Sequence, residues 1–146
     1  MKQEHLDYLN SLDISGIIKD RVEKIVTENI MLCSGKLDIL DIFLCDITNA
    51  ESIKSYTSLW LFSSDYFIEC KNFLFADDYD AVFYPKSIYY CSLKKSNYDL
   101  LTANVTSQIT IQCNLKTLAS CTMITTGLNC EKAVSIYQKY MLPNFL

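Results

Sequence analysis

Arginine is almost absent from this chain. Of its 13 basic residues, only Arg21 is arginine. Arginine is the usual forked reader of phosphates and base edges. With a formal net charge of −4, the chain also lacks the basic footprint of a nucleic-acid binder, so no nucleic-acid partner is expected. Histidine occurs once, as His5, near a terminus where fraying and solvation are expected, so a Cys–His or Ser–His nucleophile has little to recruit. The only three glycines, Gly16, Gly35 and Gly127, are isolated, which excludes a glycine-rich phosphate cradle. Among the seven cysteines the nearest pair, Cys113 and Cys121, is eight positions apart, which excludes CxxC knuckles and the local spacings of zinc sites. An odd number cannot all pair within the chain. Most sit among apolar neighbours, where a free thiol behaves as a small hydrophobe, so reduced cysteines in a reducing compartment are expected. No apolar run approaches the roughly 18–20 residues of a membrane span. The opening MKQEHLDYLN lacks the apolar core of a signal peptide. The expectation is a cytoplasmic chain, neither secreted by that route nor anchored. The densest acidic cluster, Asp77, Asp78 and Asp80, lacks the glycine and distal glutamate of a calcium loop and reads as a solvated turn. No catalytic residue, metal ligand or cofactor is assigned, and an enzyme is not expected.

What is present is a chain of 146 residues, half of them apolar, which predicts one domain over 1–146 with a proper core. Charge is unevenly spread. Residues 1–81 carry 7 Lys/Arg and 15 Asp/Glu, net −8, and residues 82–146 carry 6 Lys and 2 acids, net +4. Such a split suits self-association or a partner of mixed sign, and equally an acidic solvated face on the helical half.

Residues 4–11 read as a short helix. A firmer helix is predicted from Ile14 to Met31, because Ile14, Ile17, Ile18, Val22, Ile25 and Val26 repeat at three- and four-residue spacing. Asp13 or Ser11 would cap it, and Ser34-Gly35 would end it. KLDILDIFLCDIT suits either element, and its β-branched and aromatic content favours a strand. Asn49–Ser52 reads as a loop. From Tyr56 the period becomes two. Leu59–Phe62 and Tyr66–Cys70 make a hairpin about Ser63-Ser64-Asp65. Val82–Tyr84 and Ile88–Lys94 are further strands, the second closed by a turn at Lys95-Ser96-Asn97. In the last hairpin Ile109, Ile111 and Cys113 face one way and Gln108, Thr110 and Gln112 the other, while Ala119, Cys121 and Met123 oppose Ser120, Thr122 and Ile124. Asn129 is placed as the cap of a final helix that has Ala133, Val134, Tyr137 and Met141 inward and stops at Pro143. The fold class is therefore α+β: an N-terminal helix, then about 6–7 antiparallel strands, then a C-terminal helix.

Aromatics are numerous: ten tyrosines, seven phenylalanines and one tryptophan. Tyr56, Trp60, Tyr66, Tyr79, Tyr84, Tyr89 and Tyr90 lie on or beside strands, where aromatics either clad the core or anchor an interface. Lys94, Lys95, Lys86 and Lys116 either form a basic patch for anionic headgroups or guard strand edges. The binding residues expected from these observations are Tyr84, Lys86, Tyr89, Lys94, Lys95 and Lys116.

The order of elements over residues 37–142 carries a resemblance. A hairpin (SLWLFSSDYFIEC) precedes a proline-bearing strand pair (AVFYPKSIYYCSL). A further hairpin (QITIQC…CTMITT) and an amphipathic helix (CEKAVSIYQKYM) follow. This resembles the pleckstrin-homology-like (PH-like) superfamily, especially its GRAM and bacterial PH-like branches, in which an aromatic–Pro–x–x–Ile segment like Phe83–Ile88 enters a strand. The resemblance implies a bent antiparallel sheet or partly open barrel plugged by the last helix, with residues 1–33 as a helical extension. It implies binding of phosphoinositides, peptides or partner domains, without catalysis. The lipid-binding members carry several Lys and Arg in the first hairpin loop. The corresponding segment here, Ile47–Ser55, holds Glu51 and a single base, Lys54. A protein partner is therefore the leading expectation, with weak anionic-lipid contact and a homodimer as lesser ones. Two other readings stay open: a small acidic dimeric secretion-chaperone-like protein, and a small-ligand-binding or enzymatic α+β domain.

Overall fold

The computed structural model describes residues 1–48, 54–74, 78–97 and 107–145. It is α+β, with helices at the N-terminus, two antiparallel sheets and a helical C-terminus. The helices are α1 (Gln3–Ser11) and α2 (Gly16–Leu32), followed by α3 (Cys130–Ile136) and α4 (Leu142–Phe145). A single π-helical stretch, Tyr137–Met141, joins the last two. The strands are β1 (Ile39–Thr48), β2 (Lys54–Ser63), β3 (Tyr66–Lys71), β4 (Asp80–Pro85), β5 (Ile88–Asn97), β6 (Ser107–Leu115) and β7 (Ser120–Thr126). One sheet has the order β1-β2-β3-β4 and the other β5-β6-β7, so among the described residues the strands do not close into one barrel. The expected loop at 49–52, Glu51 and Asp77 lie outside the described residues.

The chain forms two compact units. The helical unit comprises Met1–Ile42 and Ser58–Phe83, and the sheet unit Phe43–Thr57 and Tyr84–Leu146. Strands β1 and β2 each begin in one unit and end in the other.

In the helical unit, α2 starts at Ser15, whose Oγ accepts from the Ile18 N–H at 3.4 Å. The expected caps are displaced: Ser11 ends α1 and bonds the Tyr8 carbonyl, and Asp13 is left-handed at φ 54°. The close of the helix follows expectation. Ser34 and Gly35 both take positive φ, and the Gly35 N–H reaches back to the Ile30 carbonyl at 2.9 Å. Leu9, Val22, Ile25 and Val26 are buried, as are Leu59, Trp60, Leu61 and Phe62 of β2. β2 pairs with β3 from Ser58↔Lys71 to Phe62↔Phe67, and Ser63 Oγ accepts from the Tyr66 N–H to tighten the turn between them. His5 is not solvated. It is buried, with Nε2 3.3 Å from the Leu40 carbonyl, because α1 is seated by its own apolar face rather than frayed. Arg21 is spent on structure. Its Nε donates to the Phe73 carbonyl at 2.8 Å, and its guanidinium lies 5.7 Å from the Tyr79 ring centroid.

In the sheet unit, β5, β6 and β7 form a meander, and the C-terminal helical segment crosses one face of it. α3 packs on β6 and β7, and the π-helical stretch and α4 reach β5. Ile109, Ile111, Cys113, Cys121 and Met123 are buried beneath it with Ala133, Ile136 and Met141. The alternation read from β6 and β7 holds. The stretch 95–97, read as a turn, instead continues β5, with Lys95↔Ile109 and Asn97↔Ser107 in register. Pro143 does not stop the helix but lies within α4, near its start, where a missing N–H is tolerated. All seven cysteines are free thiols.

Asn129 stands at the N-cap position of α3, as expected, but its side chain makes no capping hydrogen bond. Its amide donates to the Leu44 carbonyl at 2.7 Å and to Asp46 at 3.0 Å. Asp46 is fully buried and also accepts from the hydroxyls of Thr125 and of Thr126, the latter at 2.7 Å. A buried carboxylate needs such donors, and here three neutral side chains supply them.

Candidate binding surface

The surface is built on β5, an edge strand of the three-stranded sheet. The chain enters it through a tight turn in which the Ser87 N–H donates to the Pro85 carbonyl at 2.9 Å. The Ser87 carbonyl in turn accepts from the Lys116 N–H at 2.8 Å, which ties the turn to the β6–β7 hairpin. At the turn's centre Lys86 projects over Tyr140, its Nζ 5.5 Å from the ring centroid.

Next comes a β-bulge. Ile88 faces Leu115, and Tyr90 faces Asn114, so Tyr89 has no partner position on β6. Ordinary alternation after Ile88 would turn Tyr90 inward and Cys91 outward. The extra residue shifts the phase. Ile88 stays buried, Cys91 sits opposite buried Cys113, and the two tyrosines between them both point out. Tyr89 is 72% exposed and Tyr90 47%.

Beneath Tyr90, the Cys91 thiol donates to the Tyr137 hydroxyl oxygen at 3.7 Å. Burial above all, with the neighbouring Cys91 adding to it, pushes the Tyr137 hydroxyl up to about 12. Burial pushes the Cys113 thiol up to about 12 as well, with the nearby Cys91 adding to it. Both groups stay neutral near pH 7, as expected of packing rather than proton transfer.

The expected binding residues are not one cluster. Lys86, Tyr89 and Lys116 lie on the turn that enters β5, on the bulge that follows it and on the loop tied to it by the Ser87 carbonyl. Lys94 and Lys95 lie about 20 Å further along, at 3.3 Å per strand residue. They occupy opposite faces. Lys94 pairs with Thr110 on the polar face. Lys95 is at the end of the helix-covered face, lining a cavity of about 360 Å3 with Gln108, Ile109, Cys130, Glu131 and Val134. Tyr84 is half-buried on β4. Sequence reasoning left Tyr140 unassigned, because its meeting with Lys86 depends on the helix crossing. It also had no signal for the bulge, since IYYC reads as plain alternation. Among the described residues no group of three or more His, Cys, Asp or Glu is arranged to hold a metal ion, and no helix is long and apolar enough to cross a membrane.

No family model, curated protein or solved structure matches the chain.

Proposed function

We propose that this chain is a non-catalytic binding module of the PH-like kind, engaging a protein partner along the outer side of β5. The observation that carries this reading is the bulge at Tyr89, which presents two adjacent tyrosines on an edge strand flanked by Lys86 and Lys116. Aromatic side chains of this kind are the usual anchors of protein interfaces. The order of elements, seven antiparallel strands followed by a helical segment lying across the second sheet, agrees with the resemblance. On this reading the partner lies against the sheet edge and the two rings, and the lysines favour an acidic segment.

The test is affinity capture from native cytosol, followed by mass spectrometry. Wild type is compared with Tyr89→Ser/Tyr90→Ser and with Lys94→Ala/Lys95→Ala. A stoichiometric protein lost with the tyrosine pair and retained with the distal lysine pair is the expected result. Binding that the tyrosine pair leaves intact overturns the assignment of the surface. Sedimentation with anionic vesicles instead, weakening as salt rises, moves the weight to lipid. A second reading, small-ligand binding, has one specific observation in its favour, the cavity beside Lys95 and Glu131. Small molecules released on denaturation, with no protein captured, would support it.

A further inference from the structure

Leu118 is the outlier of this backbone. Positive φ occurs at the non-glycine residues Asp13, Ser34, Asn72 and Leu118, and Leu118 has the largest value, 71°. Asp and Asn tolerate this region because their short polar side chains bond locally, but leucine has no such compensation. Leu118 sits in the hairpin between β6 and β7. Its N–H donates to the Leu115 carbonyl at 2.9 Å, and the Leu115 N–H donates to the Ala119 carbonyl at 2.8 Å. In hairpins of this form the left-handed position is the usual place of glycine. The side chain is also 95% exposed. One residue thus combines a left-handed backbone, held by the hydrogen bonds of the turn, with an exposed apolar side chain. A leucine kept at a position where glycine would be relaxed points to a use for its side chain.

The helical unit offers a matching recess. A cavity of about 200 Å3 has Lys36, Leu37, Asp38, Asp65 and Tyr66 in its lining, with Cys33 and two serines. That exceeds the roughly 150 Å3 that accommodates a benzene ring, so a leucine side chain fits. Tyr66 is 40% exposed and meets the likewise exposed Phe83 edge to face, with centroids 5.9 Å apart. The lining is apolar at Leu37 and Tyr66. Lys36 also lines it and Asp38 is ion-paired with Lys2 at 3.0 Å, so Asp65 is the acid that exposed Lys116, two residues from Leu118, would face. The same opposition holds across whole units. The helical unit carries 6 Lys/Arg and 13 Asp/Glu, net −7, and the sheet unit 7 Lys and 4 acids, net +3. A contact between like units would set like charge against like. A head-to-tail contact sets opposite charges together.

We propose that copies of this chain associate head to tail, with Leu118 of one copy entering the Tyr66 recess of the next and Lys116 facing Asp65. Lys116 borders both this contact and the partner surface on β5, but Leu118 and the Tyr66 recess belong to this contact alone and Tyr89 and Tyr90 to the other, so their variants separate the two. The test is sedimentation velocity on the full chain, from low-micromolar to near-millimolar protein, at low and high salt. Average mass should rise with concentration, and less so at high salt. Leu118→Gly should remain monomeric with an unchanged or raised melting temperature, since it relieves the backbone. Asp65→Lys should also remain monomeric. Mixed together, these two variants should give one-to-one dimers and nothing larger, because one keeps the recess and the other the leucine. A monomeric wild type overturns the proposal, as does assembly indifferent to Leu118→Gly or a mixture that stays monomeric. Leu118-dependent sedimentation of a monomeric chain with phosphatidylserine vesicles also overturns it, and makes a membrane the occupant.

Discussion

Asp46 is held by residues some eighty positions away, and nothing local in LCDIT announces it. Removing its carboxylate would take from the hydroxyls of Thr125 and Thr126 the acceptor they share in a buried place, while the Asn129 amide keeps the Leu44 carbonyl. Asp46→Ala should therefore destabilise the fold by about 3 kcal/mol. For a chain of this length that corresponds to a fall in melting temperature of about 10 °C, measurable by calorimetry. Asp46→Asn, which keeps an acceptor oxygen, should lose less. His5 and Asn129 teach the same lesson. Sequence position suggested a solvated terminus and a helix cap. Burial against Leu40 and Leu44, set by tertiary packing, gave each a backbone carbonyl as partner instead. The partners of Arg21, Phe73 and Tyr79, are also distant in sequence.

At the level of elements, the bulge in β5 separates what the strand needs from what it displays. Ile88, Tyr90 and Cys91 alone would alternate in, out, in, as a regular strand does. Deleting Tyr89 should thus leave the β5–β6 ladder intact, with a melting temperature within a few degrees of wild type, while partner capture is lost. Deleting Ser92, which stands opposite Gln112, should instead reverse every later side chain of the strand and unfold the sheet unit. Thermal melts of the two deletions check this contrast. Strand existence and facing were legible wherever one face is wet, as in QITIQC and CTMITT. Element ends were not. Ser15 rather than Asp13 or Ser11 caps α2, and Pro143 falls inside α4. Caps depend on which residue the preceding chain leaves extended, and the π-helical stretch before Pro143 has no local signature.

For the molecule as a whole, buried neutral groups set an alkaline limit. Burial raises Cys70 and Cys113 from 9.0, and Tyr137 from 10.0, to about 12 each. Between those values the unfolded chain has released its protons and the folded chain has kept them. Stability from this source is complete below pH 9 and is lost as pH rises from 9 through 12. Urea titrations at intervals from pH 8 to 11.5 should show that decline, and Cys113→Ala should make it shallower. The fold class, the free cysteines and the charge asymmetry were all legible in the sequence, because each follows from composition or periodicity. The grouping of the binding residues was not. Lys86, Tyr89 and Lys116 are joined by one turn, whereas Lys94 and Lys95 diverge by the pleat of a strand that was expected to end before them.

The passage of β1 and β2 between units has a consequence for how such a protein can be made and varied. The helical unit has not received all its residues until Phe83 leaves the ribosome. The sheet unit takes in Phe43–Thr57 before that and must hold this strand pair until the later strands follow. Neither unit corresponds to a continuous stretch of gene. A single recombination event cannot transplant one without dividing the other, and the two are expected to be inherited together.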